Sequence, residues 1–170
     1  ARPVALLEAM PPSGPPVVSW SQVTAPALVL GRSGTPAPLD HDALAAAGVV
    51  VVGRSSGGGP VLWDRDLLAL DVVLPRAHRL SVRDVVLAYR WLGEAIADAL
   101  RSRGVGDVEV IGVERAREAV PGGAADACFG GLSPFEVLAG GRKVVGLSQT
   151  RRRTGTLLQA GLPLRLDAEG

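Results

Sequence analysis

Residues 82–101 form the one long stretch of this chain with a helical period. Val85, Tyr89, Leu92, Ile96 and Leu100 fall on one stripe, and Arg83, Arg90, Glu94, Asp98 and Arg101 on the opposite face. Ser81 stands at the N-cap position with Asp84 three residues on, and Gly104 ends the helix. A helix with a single apolar face has to cover something. On either side of it lie short β-prone runs separated by Gly and Pro: residues 17–20, 27–30, 49–52, 61–64 and 67–74 before it, and 108–113, 135–138, 143–148 and 156–166 after it. Several are spaced as hairpins. The pattern predicts an α+β domain, a mixed, largely antiparallel sheet flanked by helices. Two shorter helices are expected, over residues 4–10 up to the Pro11-Pro12 stop, and from an Asp40 cap through Ala47 to Gly48. Residues 49–52, all valine, read as a buried strand, and residues 114–126 as a polar loop.

A chain of 170 residues is most simply one domain with a sizeable core. The reading is a single domain over residues 1–170, either end of which is open to trimming. With a net charge of +1 and 4% aromatic residues there is no footprint for nucleic acid, so no nucleic-acid partner is expected. One cysteine makes no internal disulfide, and with two scattered histidines it makes no zinc site; no metal site is expected. The longest apolar run, residues 43–52, is too short for a bilayer, which needs about 20 residues. The first ten residues lack the layout of a secretory signal. These features predict a cytoplasmic protein with no membrane partner.

Two stretches carry the chemistry. Lys143 is the only lysine against 17 arginines, set between Gly140-Gly141 and an apolar strand. A compact ammonium approaches a small oxyanion as a point charge and can lose its proton when desolvated, which a guanidinium does not do. The plainer role for such a residue is a hairpin lysine with its head in water. The second stretch is Gly53-Arg54-Ser55-Ser56-Gly57-Gly58-Gly59-Pro60, where successive glycines let the backbone approach a ligand and aim several N–H groups at an anion or carbonyl. It is not a P-loop, which needs a Gly-Lys followed by Ser or Thr. A flexible hairpin turn is its plainer reading.

Three stretches in order resemble the lipoate-protein ligase A and octanoyltransferase family: Gly31-Arg32, then Arg54-Ser55-Ser56-Gly57-Gly58-Gly59 with Val61 and Asp64, then Gly141-Arg142-Lys143-Val144-Val145-Gly146-Leu147-Ser148-Gln149. The resemblance implies the fold of the biotin and lipoate protein ligase catalytic domain. The implied task is transfer of an octanoyl or lipoyl group to a lysine of a lipoyl carrier domain, of the glycine cleavage H protein or 2-oxoacid dehydrogenase E2 type. It further implies that Lys143 contacts the acyl carbonyl, and that Gly31, Arg32, Arg54, Ser55, Ser56, Gly57, Gly58, Gly59, Val61, Asp64, Gly146 and Ser148 bind substrate.

The family divides by chemistry. Ala127-Cys128-Phe129 ahead of Ser133-Pro134-Phe135-Glu136 looks like the transferase arrangement, in which Cys128 carries the acyl group as a thioester, taken from another carrier or from acyl carrier protein. A nearby ammonium lowers a thiol pKa, so Lys143 could activate Cys128; a buried apolar cysteine is the alternative. No tightly bound cofactor is expected beyond lipoate or octanoate as the transferred group, with ATP and Mg needed only by an adenylating ligase. Trp63 stands where many relatives have histidine, Asp66-Leu67 replaces a Gly-Asn, and Gln159-Ala160-Gly161 replaces a His-Gly. The first two departures disfavour a conventional adenylating enzyme. The changes at Trp63 and Gln159 also fit a non-catalytic relative that binds lipoylated carriers. Arg151, Arg152 and Arg153 are candidates for docking an acidic carrier, or simply a solvated run. His41 and His78 receive no role, and no biotin-type Gly-Arg-Gly-Arg loop is present.

Overall fold

A cavity separates two sheets in the computed structural model, which describes residues 2–32, 38–118 and 132–165. Cys128 lies outside the described residues. Along the chain run α1 (Arg2–Glu8), β1 (Val17–Gln22), β2 (Ala27–Leu30), α2 (His41–Ala46), β3 (Val50–Gly53), β4 (Val61–Trp63), β5 (Leu67–Pro75), a 3-10 turn (Leu87–Tyr89), α3 (Arg90–Ser102), β6 (Val108–Val110), α4 (Val113–Glu118), β7 (Val137–Ala139), β8 (Arg142–Arg151) and β9 (Gly155–Pro163). The large sheet has the order β1-β5-β9-β8-β7-β6, with every neighbouring pair antiparallel. The small sheet has the order β3-β2-β4. Its β2–β3 pair is parallel, and the crossover such a pair requires contains α2, capped as expected by Asp40 accepting from the Ala43 N–H at 2.9 Å. The α+β reading therefore holds.

Alternation along β5 and β9 divides the core in two. Leu70, Val72 and Leu74 of β5 and Leu158 and Ala160 of β9 pack with Leu92, Ile96 and Ala97 of α3. On the other face Val73 and Leu157 pack beneath Leu7 and Met10 at the α1 end of the chain. Gly140 and Gly141, at φ +55° and +75°, make the two-residue turn that joins β7 to β8; both positions lie in the left-handed region that a type I′ hairpin turn demands.

Four expectations are corrected. The long helix starts at Arg90 rather than Val82, because the Asp84 carboxylate accepts from the Val86 and Leu87 N–H groups and holds a turn there in place of the expected capping box. Val85 consequently leaves the apolar stripe and is 56% exposed. The all-valine strand is the edge of the small sheet, and Val50, Val51 and Val52 are exposed. Helix α4 occupies residues read as the start of a loop, and Val113 belongs to it rather than to β6. Finally, β7 begins at Val137, because Phe135 adopts φ +68° and breaks the expected strand.

Candidate active site

The cavity holds about 770 Å³. Its floor is the large sheet, where register places small and polar side chains in rows. Ser21, Ala69, Gly161 and Gly146 form one row, and Ser19, Asp71, Gln159 and Ser148 the next. Ala27 and Val29 of β2, Val52 of β3, and Val61 and Trp63 of β4 supply an apolar wall. The glycine loop completes the lining.

Arg54 shapes that loop. Its guanidinium donates to the carbonyl oxygens of Gly57 (2.9 Å from Nη2), Gly59 (2.8 Å) and Val29 (3.2 Å), so the donors of one side chain tie the loop to β2. Gly31 lies beneath the same loop, where an added Cβ would stand 1.9 Å from the Gly58 oxygen; only glycine fits. The Arg32 N–H donates to the Ser56 oxygen at 2.9 Å, and Ser55 Oγ lies 2.9 Å from Thr150 Oγ1 of β8.

Lys143 reaches the cavity because β8 breaks its own alternation. Pairing of β7 with β8 shifts between Val137↔Val145 and Leu138↔Lys143, which leaves Val144 as an extra residue. Val144 and Val145 both pack on the α3 side, while Lys143 joins Gly146 and Ser148 in lining the cavity. Its Nζ lies 2.8 Å from Glu136 Oε2, with only 4% of the lysine side chain and 3% of the glutamate side chain exposed. The Glu136 carboxylate also accepts the Ser133 N–H at 2.8 Å and the Leu147 N–H at 3.2 Å. Burial pushes the Glu136 carboxyl above the ordinary carboxylate range, and the Lys143 ammonium and the two N–H donors pull it back. An ammonium held this way on the wall of a largely apolar chamber can stabilise charge on a bound carbonyl oxygen.

Of the residues singled out in the sequence, Lys143, Gly146, Ser148, Arg54, Ser55, Gly57, Gly58, Gly59 and Val61 line the cavity together. Gly31, Arg32, Ser56 and Asp64 do not. Ser56 is 1% exposed and packed behind the loop, and Asp64 accepts the Asp66 N–H in the exposed turn between β4 and β5. Arg151 spends its guanidinium on the carbonyl oxygens of Val82, Arg83 and Asp84, which makes it a clamp on the turn before α3. Arg152 lies 3.6 Å from the Glu8 carboxylate, and Arg153 is exposed.

The family model for the lipoyl protein ligase A/B catalytic domain matches residues 3–169. The chain belongs to that family.

Within the lipoyl protein ligase A/B family, the chain is 33% identical over 132 residues to an octanoyltransferase LipM of an Exiguobacterium strain, covering 77% of this chain and 48% of the relative. It thus spans about half the length of the curated relatives it matches. A T. acidophilum lipoate protein ligase solved with bound lipoic acid superposes with a TM-score of 0.76 at 19% identity, over 96% of this chain and 61% of that one. A structure from an archaeal lipoylation system, described as a bi-partite lipoate protein ligase and its E2 lipoyl domain from Thermoplasma acidophilum, superposes with a TM-score of 0.72 at 20% identity, over 96% and 55%. At these identities the likeness is one of fold.

Two residues that line the cavity escaped the sequence reading. Glu136 stood in an apolar run and passed as part of a strand. Asp71 is the lone charged residue of the nine-residue strand β5, and its parity with Ala69 was the signal that placed it on the cavity side. Gln159, noted only as a departure, donates to Asp71 Oδ1 at 2.7 Å. Among the described residues no cluster of three metal-ligating side chains occurs, and no helix is long and apolar enough to cross a membrane.

Proposed function

We propose that this domain transfers an octanoyl or lipoyl group to a lysine of a lipoyl carrier domain, through a Cys128 thioester, with Lys143 beside the acyl carbonyl. The observation that carries the reading is the buried Lys143–Glu136 pair on the wall of a chamber lined by apolar side chains and glycine backbone. Its likeness to octanoyltransferases supports transfer over adenylation, and the E2 lipoyl domain of the archaeal system supports a carrier of that type.

In the first half-reaction the Cys128 thiol gives up its proton, the thiolate attacks the acyl carbonyl carbon, and the bond to the donor breaks as the donor thiol or amine leaves with that proton or one from solvent. In the second, the neutral carrier amine attacks the thioester, an amide forms, and the thiolate departs. Lys143 stabilises the oxyanion in both steps. The carboxylate of Glu136 holds that ammonium in place, and the amine proton passes to the departing thiolate or to solvent. Lipoate or octanoate enters as the transferred group; ATP and Mg belong only to the adenylating alternative.

The test is a donor panel read by intact mass, run with and without ATP. The expected result is an acyl adduct that forms without ATP, is removed by hydroxylamine and is absent in Cys128→Ser. A Cys128→Ser variant that transfers at the wild-type rate overturns the thioester. Transfer that needs ATP and free lipoate, with lipoate-dependent exchange of pyrophosphate, replaces it with the ligase, and carrier binding without turnover replaces it with a binding protein. Arg153→Glu is expected to slow transfer most at low salt if this surface docks an acidic carrier.

A further inference from the structure

The row Ser19, Asp71, Gln159 and Ser148 draws a polar band across four strands of the large sheet, and Asp71, Gln159 and Ser148 of that row line the cavity. Its centre is a carboxylate only 6% exposed, at the cavity lining, bonded across the sheet to Gln159. Beyond the band the next row, Val73 and Leu157, is sealed under Leu7 and Met10. An alkyl chain gains nothing from crossing such a band, since each methylene laid against it displaces solvation that a buried carboxyl cannot replace.

The position of the band is informative. Ser148 lies five residues along β8 from Lys143, and because one of them, Val144, is the extra residue of the bulge, the strand advances only roughly 13 Å between them. The joint reach of an extended lysine side chain and an eight-carbon acyl chain, roughly 15 Å at ordinary C–C geometry, covers that span, so the far end of such a chain meets the band. A cavity of about 770 Å³ is far roomier than such a chain requires, so bulk alone does not stop a longer one.

We propose that Asp71, held by Gln159, sets the length of the acyl group: the polar band ends the apolar path at about eight carbons and disfavours longer saturated chains. The proposal rests on the acyl-transfer reading only in taking the Lys143 end as the carbonyl end. Its test therefore uses binding of free fatty acids of six, eight, ten and twelve carbons, followed by calorimetry or by fluorescence of Trp63, which lines the cavity. Wild-type affinity is expected to rise to eight carbons and then level or fall. In Asp71→Leu it is expected to keep rising, by about fourfold for each added methylene. Asp71→Asn, which preserves the bond to Gln159, is expected to keep the break. A wild-type profile that climbs to twelve carbons without a break overturns the proposal whatever the variants do, and so does an Asp71→Leu profile identical to wild type. If Asp71→Leu does not fold, Asp71→Val takes its place under the same criteria. Failure of transfer with the break intact would remove the enzymatic reading and leave the length limit standing.

Discussion

Lys143 and Glu136 illustrate how a buried ion pair differs from one in water. Removing one partner leaves the other charge stranded, at a typical cost of about 3–5 kcal/mol, whereas replacing both with apolar groups of similar size is often close to neutral. Glu136→Gln is therefore expected to lower the urea midpoint markedly, and Lys143→Met with Glu136→Leu to recover most of the loss while remaining inactive. Equal destabilisation of the single and double variants would contradict this. Folded Lys143→Ala is expected to lose about 10²–10³ in kcat, the usual loss for one oxyanion contact. Asp71 makes a prediction of opposite sign. Burial raises its carboxyl pKa, with the Gln159 bond opposing, so the folded chain binds the proton more tightly than the unfolded one. Stability from this group is therefore fullest below the unfolded value of about 4 and declines as pH rises through the folded pKa. Asp71→Asn removes the decline, and its advantage over wild type in thermal midpoint is expected to grow from pH 4 upward. An advantage that shrinks over that range would refute the assignment.

Among the elements, the glycine loop and the turn before α3 are each held by one arginine. Arg54→Ala unties three carbonyls from their donor and is expected to cost about 2–3 kcal/mol, with weaker acyl-group binding. Arg151→Ala is expected to speed amide hydrogen exchange in residues 82–87 while leaving α3 protected, since the clamp acts only on the turn. What the sequence made legible follows the same division. Periodicity and turn chemistry were enough for β2, α2, β5 and the β7–β8 hairpin, because each is specified locally by its alternation, its cap or its glycines. The exposed valines of β3 read as core because composition says nothing of which edge of which sheet a strand occupies. The start of α3 was misread because Asp84 can either continue a helix or turn the chain, and tertiary bonds to Arg151 favour the turn. In the site, the glycine loop and Lys143 were visible as unusual residues. Asp71 and Glu136 were not, since a carboxylate in an apolar run acquires meaning only when the register shows what stands opposite.

At the scale of the molecule, one sheet serves two cores. Its α3 face is closed by Leu92, Ile96 and Ala97, while its other face is covered by α1 at one end and opens into the cavity at the other. A ligand that fills the open part binds only the folded chain. At a free concentration of about 100 times its Kd it is expected to add about 2.7 kcal/mol of stability, or roughly 5–10 °C in thermal midpoint for a chain of this size. Octanoate or lipoate giving no shift at saturation would argue that the cavity is not their site. The extra residue Val144 ties this architecture to its chemistry. The bulge acts as a half-period slip in the strand, and were the same residues paired in strict alternation the sole lysine would swing round to the oily side of the sheet, against the long helix. Dropping that one residue would restore strict alternation with the lysine still on the chamber side, so the face the ammonium takes is decided by how the strand pairs and not by which reactive groups the sequence holds.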